Sequence, residues 1–378
     1  MWRMPRVFLC LAYALTWAPG RASPNIFGVT TSEVGAASLD GTLRAKRPGP
    51  TRVLFVGNSF TFVNDLPHQL VRIAKSLGRN VEVGNSTIPG CTLFAQRPSV
   101  SEKTRALMKD DWDFIVLQDE SVLPTVQEAR GLYFSPALDD FSLVKKRAKL
   151  VMYLTWGYPA GVLTQCPPGD KPSCLPLGQP AELTNPPCHT SSMYEQSVDS
   201  FACMGYSLAR AYLSAKGGSH GKADMVAPAG LAWQIVRGLK HIPSDCKALI
   251  DGEYDEPLPF DLPMQVNGAS MPDLMLNLLG KLNTSSSFKM DKHPNILGQY
   301  LNALTFYATL FGESPEGAAG PRCSDTVPPS CFRYAWGVSE PGEVSVSKEA
   351  LLTLQKAAWG SAVRCGQRCG IVTPPVWM

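Results

Sequence analysis

The sequence predicts an α/β protein whose parallel β-sheet is covered by helices on both faces. From Arg52 onward, short apolar segments of strand length alternate with amphipathic segments of helix length. Short apolar strands separated by helices are typical of a parallel sheet that is buried between two helical layers. The chain has 378 residues, 44% of them hydrophobic, which is long enough for one large core or two smaller ones.

The individual elements follow from these periodicities. Five strands are predicted, at residues 52–56, 81–83, 114–117, 150–155 and 224–227. The first helix is predicted from the shared face of Leu66, Leu70 and Ala74, with Asn64 or Asp65 as its cap and Gly78 as its stop. Further helices are expected at residues 194–215, 271–283, 297–310 and 348–359. A Cys- and Pro-rich insertion is expected at residues 157–190, and a Cys-rich C-terminal extension at 319–378.

The N-terminal residues resemble a secretory signal peptide. Arg3 and Arg6 precede an apolar run at residues 7–17, and a small-residue cleavage site ends at Ala22. A membrane anchor is the alternative, but it needs roughly 20 apolar residues. We therefore expect a signal peptide at residues 1–22, a flexible leader at 23–50, and a secreted protein without a membrane span. The basic residues at 44–47 are either a proprotein cleavage site or part of a solvated linker.

Charge and cysteine content narrow the function classes. Removing the signal removes three arginines, which leaves 32 basic and 32 acidic residues, and no basic stripe is present. Nucleic acid is therefore not an expected partner. Ten cysteines remain after Cys10 is removed, an even number that favours disulfides in a secreted chain. The closely spaced pairs are Cys166/Cys174, Cys323/Cys331 and Cys365/Cys369.

Neither a metal site nor any other cofactor is expected. The chain has no Cys-x-x-Cys pair with neighbouring histidines. Asn85-Ser86-Thr87 and Asn283-Thr284-Ser285 match the pattern of N-glycosylation acceptors, which predicts a glycoprotein.

Ser59 is the first candidate for chemistry. It follows the predicted strand 52–56 and Gly57, at the carboxyl end of a parallel strand, where α/β enzymes place reactive groups. A serine hydroxyl becomes an effective nucleophile when an imidazole accepts its proton. The alternative interpretation is that Ser59 caps a helix, a common role for serine.

His293 is the candidate base. It is followed by Pro294 and a predicted helix, which places it on a loop at a helix start, and Asp291 supplies a carboxylate nearby. The alternative is a surface histidine. The remaining histidines lack such a context and are interpreted as ordinary polar residues.

Several segments in order resemble the SGNH, or GDSL-like, hydrolase superfamily, and most closely a poorly characterised branch with Gly-Asn-Ser-Phe at the nucleophile. The first is Gly57-Asn58-Ser59-Phe60, followed by Asn64 to Pro67. The later matching segments are residues 89–93, 112–121, 153–156, 227–233, 291–294 and 298–303. The resemblance covers roughly residues 51–318, which defines the expected hydrolase domain.

The resemblance implies a three-layer α/β/α fold of flavodoxin-like type. It implies that Ser59 is the nucleophile, that His293 is the general base, and that the Ser59 and Gly90 N–H groups form the oxyanion hole. Gln118 stands where the family has an asparagine, and its amide is expected to be the third donor. The family's acid lies three residues before the histidine, where this chain has Met290, so Asp291 or a backbone carbonyl is expected to orient His293.

The expected function is that of a secreted serine esterase that removes small acyl groups from glycans or glycoconjugates. A lipid ester is the second substrate class. Two non-enzymatic alternatives stay open: a binding protein that keeps the fold without catalysis, favoured by the position of Asp291, and a disulfide-rich matrix protein, favoured by the C-terminal cysteines. The sequence does not define the oligomeric state.

Overall fold

The protein is described by a computed structural model that covers residues 49–120, 123–125, 130–157, 200–217, 222–237, 279–282, 289–323, 342–343 and 346–372. These residues belong to the unit Pro48–Met378. The expected signal, the leader up to residue 48 and almost all of the insertion at 157–190 lie outside the described residues. Among the described helices, none has the length and the apolar character needed to cross a membrane.

The core of the fold is a five-stranded parallel sheet. Its strands are β1 (Thr51–Gly57), β2 (Val81–Thr87), β3 (Phe114–Leu117), β4 (Lys149–Tyr153) and β5 (Met225–Ala227). They are arranged in the order β2-β1-β3-β4-β5, and every neighbouring pair is parallel. This is the flavodoxin-like order of a doubly wound sheet. The predicted fold class is confirmed, and both ends of each predicted strand lie within four residues of the observed ends.

Helices cover the sheet on both faces. They are α1 (Ser59–Phe62), α2 (Leu66–Ser76), α3 (Glu102–Leu107), α4 (Ser135–Val144), α5 (Ser200–Gly217), α6 (Ala229–Val236), α7 (Ile296–Phe311) and α8 (Lys348–Cys365). On one face, Phe55 and Tyr153 contact the ring of Phe306 in α7 edge-on, at centroid distances of 5.5 and 4.9 Å. Leu54 and Phe55 lie on opposite faces of the sheet because neighbouring residues of a strand point to opposite sides. On the face of Leu54, both Leu54 and Trp112 pack beside Gly84.

The last long helix belongs to the same core as the sheet. Leu354, Ala357, Ala358 and Ala362 of α8 are buried within the main hydrophobic cluster. The helix runs six residues beyond the predicted end at 359 and is followed by a 3-10 turn, Gly366–Cys369. Cys365 and Cys369 form a disulfide across this turn, as their spacing suggested. Cys203 and Cys323 are also disulfide-bonded.

The predicted helix at residues 271–283 is wrong for its last part. Residues Leu279–Leu282 form a strand, β6, which pairs antiparallel with β7 (Lys289–Pro294). Antiparallel pairing with the nearby segment β7 therefore overrides the helical preference of this run. His293 lies in β7, not on the loop that the sequence predicted.

Candidate active site

The fold places Ser59 at the point where the order of the strands reverses. Ser59 follows β1 and Gln118 follows β3, and these two adjacent strands form the switch point of a flavodoxin-like sheet. Ligands bind in the crevice outside the carboxyl ends of the strands at such a point. The sequence pattern of strand, glycine turn and serine therefore falls at the crevice that the topology creates.

Close packing explains why a glycine precedes the serine. A Cβ atom on Gly57 would lie 2.6 Å from both Gln118 Oε1 and Thr61 Oγ1. Asn58 then caps α1, because its Oδ1 accepts a hydrogen bond of 3.1 Å from the Phe60 N–H. The capping role that serves as the alternative interpretation of Ser59 is thus filled by Asn58. The Ser59 hydroxyl instead contacts the candidate base.

Ser59 and His293 are brought together across 234 residues of sequence. The Oγ of Ser59 lies 2.8 Å from the Nε2 of His293, and both residues are half-buried. This is the distance at which an imidazole can accept the proton of an attacking hydroxyl. The Phe60 ring lies edge-on to the imidazole, with a centroid distance of 5.5 Å.

The segment that carries His293 is held on both sides of its strand end. The buried Asn64 donates from Nδ2 to the Pro294 carbonyl at 2.8 Å. Asn295 caps α7, because its Oδ1 accepts from the N–H groups of Leu297 and Gly298, each at 3.0 Å. Asn64 has a positive φ of 55°, an uncommon conformation for a residue other than glycine that is often found at functional sites.

Gln118 is fully buried and braces residues 57–63, which carry the candidate nucleophile Ser59 and which we call the nucleophile turn. Its Oε1 accepts hydrogen bonds from the Asn58 N–H at 2.8 Å and from the Thr61 hydroxyl at 2.9 Å, while its Nε2 donates to the Asp119 carbonyl. A backbone N–H can only donate, so the amide orientation is fixed. One of the two amide hydrogens is therefore engaged within the protein, and the oxyanion role of Gln118 stays a prediction.

Gly90 lies in the loop after β2. It is exposed and has a φ of +65°, a conformation that favours glycine. Its loop neighbour Cys91 is buried, and the Cys91 carbonyl accepts from Asn58 Nδ2 at 3.0 Å. This bond connects the Gly90 loop directly to the nucleophile turn. The sequence-predicted donors of the oxyanion hole thus lie on segments that are linked to each other.

A buried network of side-chain amides holds the backbone of the nucleophile turn. Gln299 of α7 donates from Nε2 to the carbonyls of Phe60 at 3.0 Å, Thr61 at 3.2 Å and Val63 at 2.7 Å. Asn302 donates to Gln299 Oε1, and Trp233 donates to Asn302 Oδ1, each at 2.8 Å. The backbone that carries Ser59 is therefore tied to the same helix that follows His293.

The aromatic rings around this network are stacked. Phe60 lies parallel to Trp156 at 4.8 Å, and Trp156 lies parallel to Trp233 at 4.2 Å. All three side chains are buried, and Phe60 connects the stack to His293. Trp156 and Trp233 belong to segments that the sequence resemblance included, but no role was assigned to them from the sequence.

Asp65 and Asp119, which are close in sequence to Ser59 and Gln118, have different surroundings. Asp65 accepts from His68 Nδ1 at 2.8 Å, and this hydrogen bond raises the pKa of His68. Asp119 is wholly buried, and burial raises the pKa of its carboxyl to about 7.

The side chain of Asp291, the sequence-predicted partner of His293, lies outside the described part of the structure, so its orienting role stays a prediction. Within the described residues there is no cluster of His, Cys, Asp and Glu suited to a metal ion.

Sequence reasoning missed the residues that hold the site together. Asn58, Asn64, Gln299 and Asp119 all lie within segments that carried the resemblance, yet their amides and carboxylates contact backbone groups far away in sequence. Polar side chains within otherwise apolar segments were the available signal, because a buried polar group requires a partner.

The described geometry is that of a serine hydroxyl next to an imidazole on a flavodoxin-like α/β/α fold. A scan against protein-family models found no match, and a search of curated proteins found none either. Among solved structures, the chain is similar to a DUF4886 family protein from Bacteroides uniformis, with 15% sequence identity and a TM-score of 0.49. The similarity covers 83% of this chain and 95% of that chain.

Proposed function

We propose that this protein is a secreted serine ester hydrolase that works through an acyl-serine intermediate, as the SGNH-like resemblance implies. The observation that carries the proposal is the 2.8 Å contact between Ser59 Oγ and His293 Nε2 at the sheet's switch point. Small acyl groups on glycans or glycoconjugates are the proposed substrates, and this choice depends on the resemblance.

In the first half of the reaction, Ser59 Oγ attacks the acyl carbonyl carbon. His293 Nε2 accepts the hydroxyl proton, which requires an imidazole protonated on Nδ1 only, and Asp291 is proposed to hold that tautomer. The carbonyl oxygen becomes an oxyanion and is stabilised by the N–H groups of Ser59 and Gly90, with Gln118 as the proposed third donor. His293 then returns the proton to the oxygen of the leaving alcohol as the bond between that oxygen and the acyl carbon breaks.

In the second half, water releases the acyl group. His293 accepts a proton from the water as its oxygen attacks the acyl-serine carbonyl carbon. The tetrahedral intermediate collapses, the bond to Ser59 Oγ breaks, and His293 returns the proton to that oxygen. The products are the free acid, the alcohol from the first half, and the regenerated enzyme. Because His293 moves every proton, the proposed steps need no metal or organic cofactor.

A panel of short-chain acyl esters tests the proposal. The wild type is expected to hydrolyse at least one ester, and Ser59→Ala is expected to lower kcat/KM by about a thousandfold or more, since residual binding and oxyanion effects remain. Ser99→Ala is the matched control, because Ser99 contacts Asp140 on the surface and lies outside the site. Equal turnover by the wild type and Ser59→Ala would show that another residue carries the chemistry, and a folded wild type inactive on every ester would favour the binding-protein alternative.

A further inference from the structure

The loop that carries Gly90 is anchored at three points by the ends of two strands. We call residues 88–93 the glycine loop. At its start, the Ile88 N–H donates to the Gly57 carbonyl of β1 at 3.1 Å. In its middle, the Cys91 carbonyl accepts from Asn58 Nδ2 at 3.0 Å. At its end, the Leu93 N–H donates to Asp119 Oδ1 at 2.7 Å. Asp119 lies beyond β3, so this third anchor joins the loop to the other strand of the switch point.

Asp119 makes its anchoring contact with one oxygen. Its Oδ1 accepts from both the Leu93 N–H and the Glu120 N–H, each at 2.7 Å. Its Oδ2 is buried and has no hydrogen-bond partner among the described residues. The side chain is wholly buried, Glu120 acts on it electrostatically, and it in turn acts on the Tyr212 hydroxyl of α5. No basic side chain of the described residues pairs with it, and a buried carboxyl without a cationic partner is costly to keep.

We propose that Asp119 is a positioning residue that sets the glycine loop, and with it the Gly90 N–H, at the distance from Ser59 that the oxyanion requires. This inference rests on the proposed function for its catalytic consequence. The anchoring itself rests on the contacts of Leu93 and Asp119 alone. A loop held in place before substrate binds would meet the condition for electrostatic preorganisation, which would explain why a carboxyl that is costly to bury is kept.

The arrangement of its two oxygens predicts which substitutions the site tolerates. An asparagine at this position keeps an oxygen where Oδ1 lies and places its NH₂ group where Oδ2 lies. Asp119→Asn therefore retains the anchor. Asp119→Ala removes the acceptor and leaves the Leu93 N–H unpaired in the interior. Asp119→Leu has the same branched shape without an acceptor and serves if the alanine variant does not fold.

The chain offers a matched control on the same strand. Asp113 immediately precedes β3, at the amino ends of the strands, whereas Asp119 lies beyond their carboxyl ends. The Oδ2 of Asp113 accepts a hydrogen bond from the Arg52 N–H at 2.9 Å. Asp113→Ala thus also removes a carboxylate that holds a backbone N–H of a neighbouring segment. A general loss of packing or charge would affect both variants, whereas a specific effect on the glycine loop belongs to Asp119 alone.

Hydrogen exchange read by mass spectrometry on the full chain tests the anchoring without any activity. In Asp119→Ala, amides of the glycine loop are expected to exchange at least about tenfold faster, since a buried hydrogen bond protects them. The amides around Arg52 are expected to be unchanged. Asp113→Ala should give the reverse pattern, and Asp119→Asn should match the wild type within about threefold. Unchanged exchange of the glycine loop in both Asp119→Ala and Asp119→Leu would overturn the proposal.

Ester kinetics test the catalytic consequence. Asp119→Ala is expected to lower kcat by about 10- to 100-fold with KM within about twofold, because a displaced donor weakens the transition state more than the bound substrate. Asp119→Asn is expected to restore most of this loss. A wild type that is inactive while the exchange pattern holds would refute the proposed function and leave the anchor supported. An active Asp119→Ala with wild-type kcat would overturn the positioning role.

Discussion

The buried carboxyl of Asp119 predicts a large dependence of stability on pH. Burial raises its pKa from 3.8 to about 7 in the folded protein, whereas the unfolded chain keeps the ordinary value. Between these two values, the folded state holds a proton that the unfolded state has released. The free energy of unfolding therefore falls as pH rises from about 4 to about 7 and levels off above it. Each pKa unit corresponds to about 1.4 kcal/mol, so the total is about 4 kcal/mol.

Asp119→Asn removes the titrating carboxyl and leaves the anchoring oxygen. The assay is urea unfolding of the wild type and of the variant at pH 4.5 and at pH 8. At each pH the free energy of unfolding of the wild type is subtracted from that of the variant, and the two differences are compared. The variant is expected to gain about 3 kcal/mol relative to the wild type between the two pH values. Asp113→Asn is the control, and the effect of Asp119 is the excess over it. A difference that changes by less than about 1 kcal/mol would refute the reasoning.

Two further substitutions test how the site is built. Gln118→Leu leaves the Asn58 N–H and the Thr61 hydroxyl unpaired in the interior, and we expect a loss of about 1–3 kcal/mol for each group in urea unfolding; an unchanged midpoint would contradict the bracing role. Asn64→Gly keeps the positive φ but removes the bond to the Pro294 carbonyl, so we expect a loss of about 1 kcal/mol together with slower ester hydrolysis. Asp65→Gly, at the next residue with a positive φ, is its control, and equal kinetic losses in both variants would argue against a specific role for Asn64.

The strands of the sheet could be predicted because local pattern and tertiary environment agree there. Residues such as Val53 to Val56 are apolar in sequence and wholly buried in the structure, as a central parallel strand requires. The strand order was available from the resemblance only, since periodicity does not specify which strands are neighbours. Residues 279–282 show the limit: their leucines fit a helix equally well, and pairing with β7 decides the outcome.

The sequence predicted the candidate reactive residues of the site but not the residues that hold them in place. Ser59 and His293 stand out because their residue types suggest a reaction, and the contact between them was expected. Gln299 and Asn64 do not, because a buried amide gains its meaning from carbonyls that are more than 200 residues away in sequence. Gln118 was predicted as a donor, whereas its oxygen accepts two hydrogen bonds from the nucleophile turn.

Covalent labelling with a fluorophosphonate tests the central claim most directly. The probe phosphonylates a serine hydroxyl that a neighbouring base activates, so it requires no knowledge of the substrate. Intact-mass analysis of the wild type is expected to give a single adduct, and peptide mapping is expected to place it on Ser59. The adduct should be absent in Ser59→Ala and strongly reduced in His293→Ala. A folded wild type that stays unlabelled, or a Ser59→Ala variant that is labelled as fast as the wild type, would contradict the role of Ser59 as an activated nucleophile.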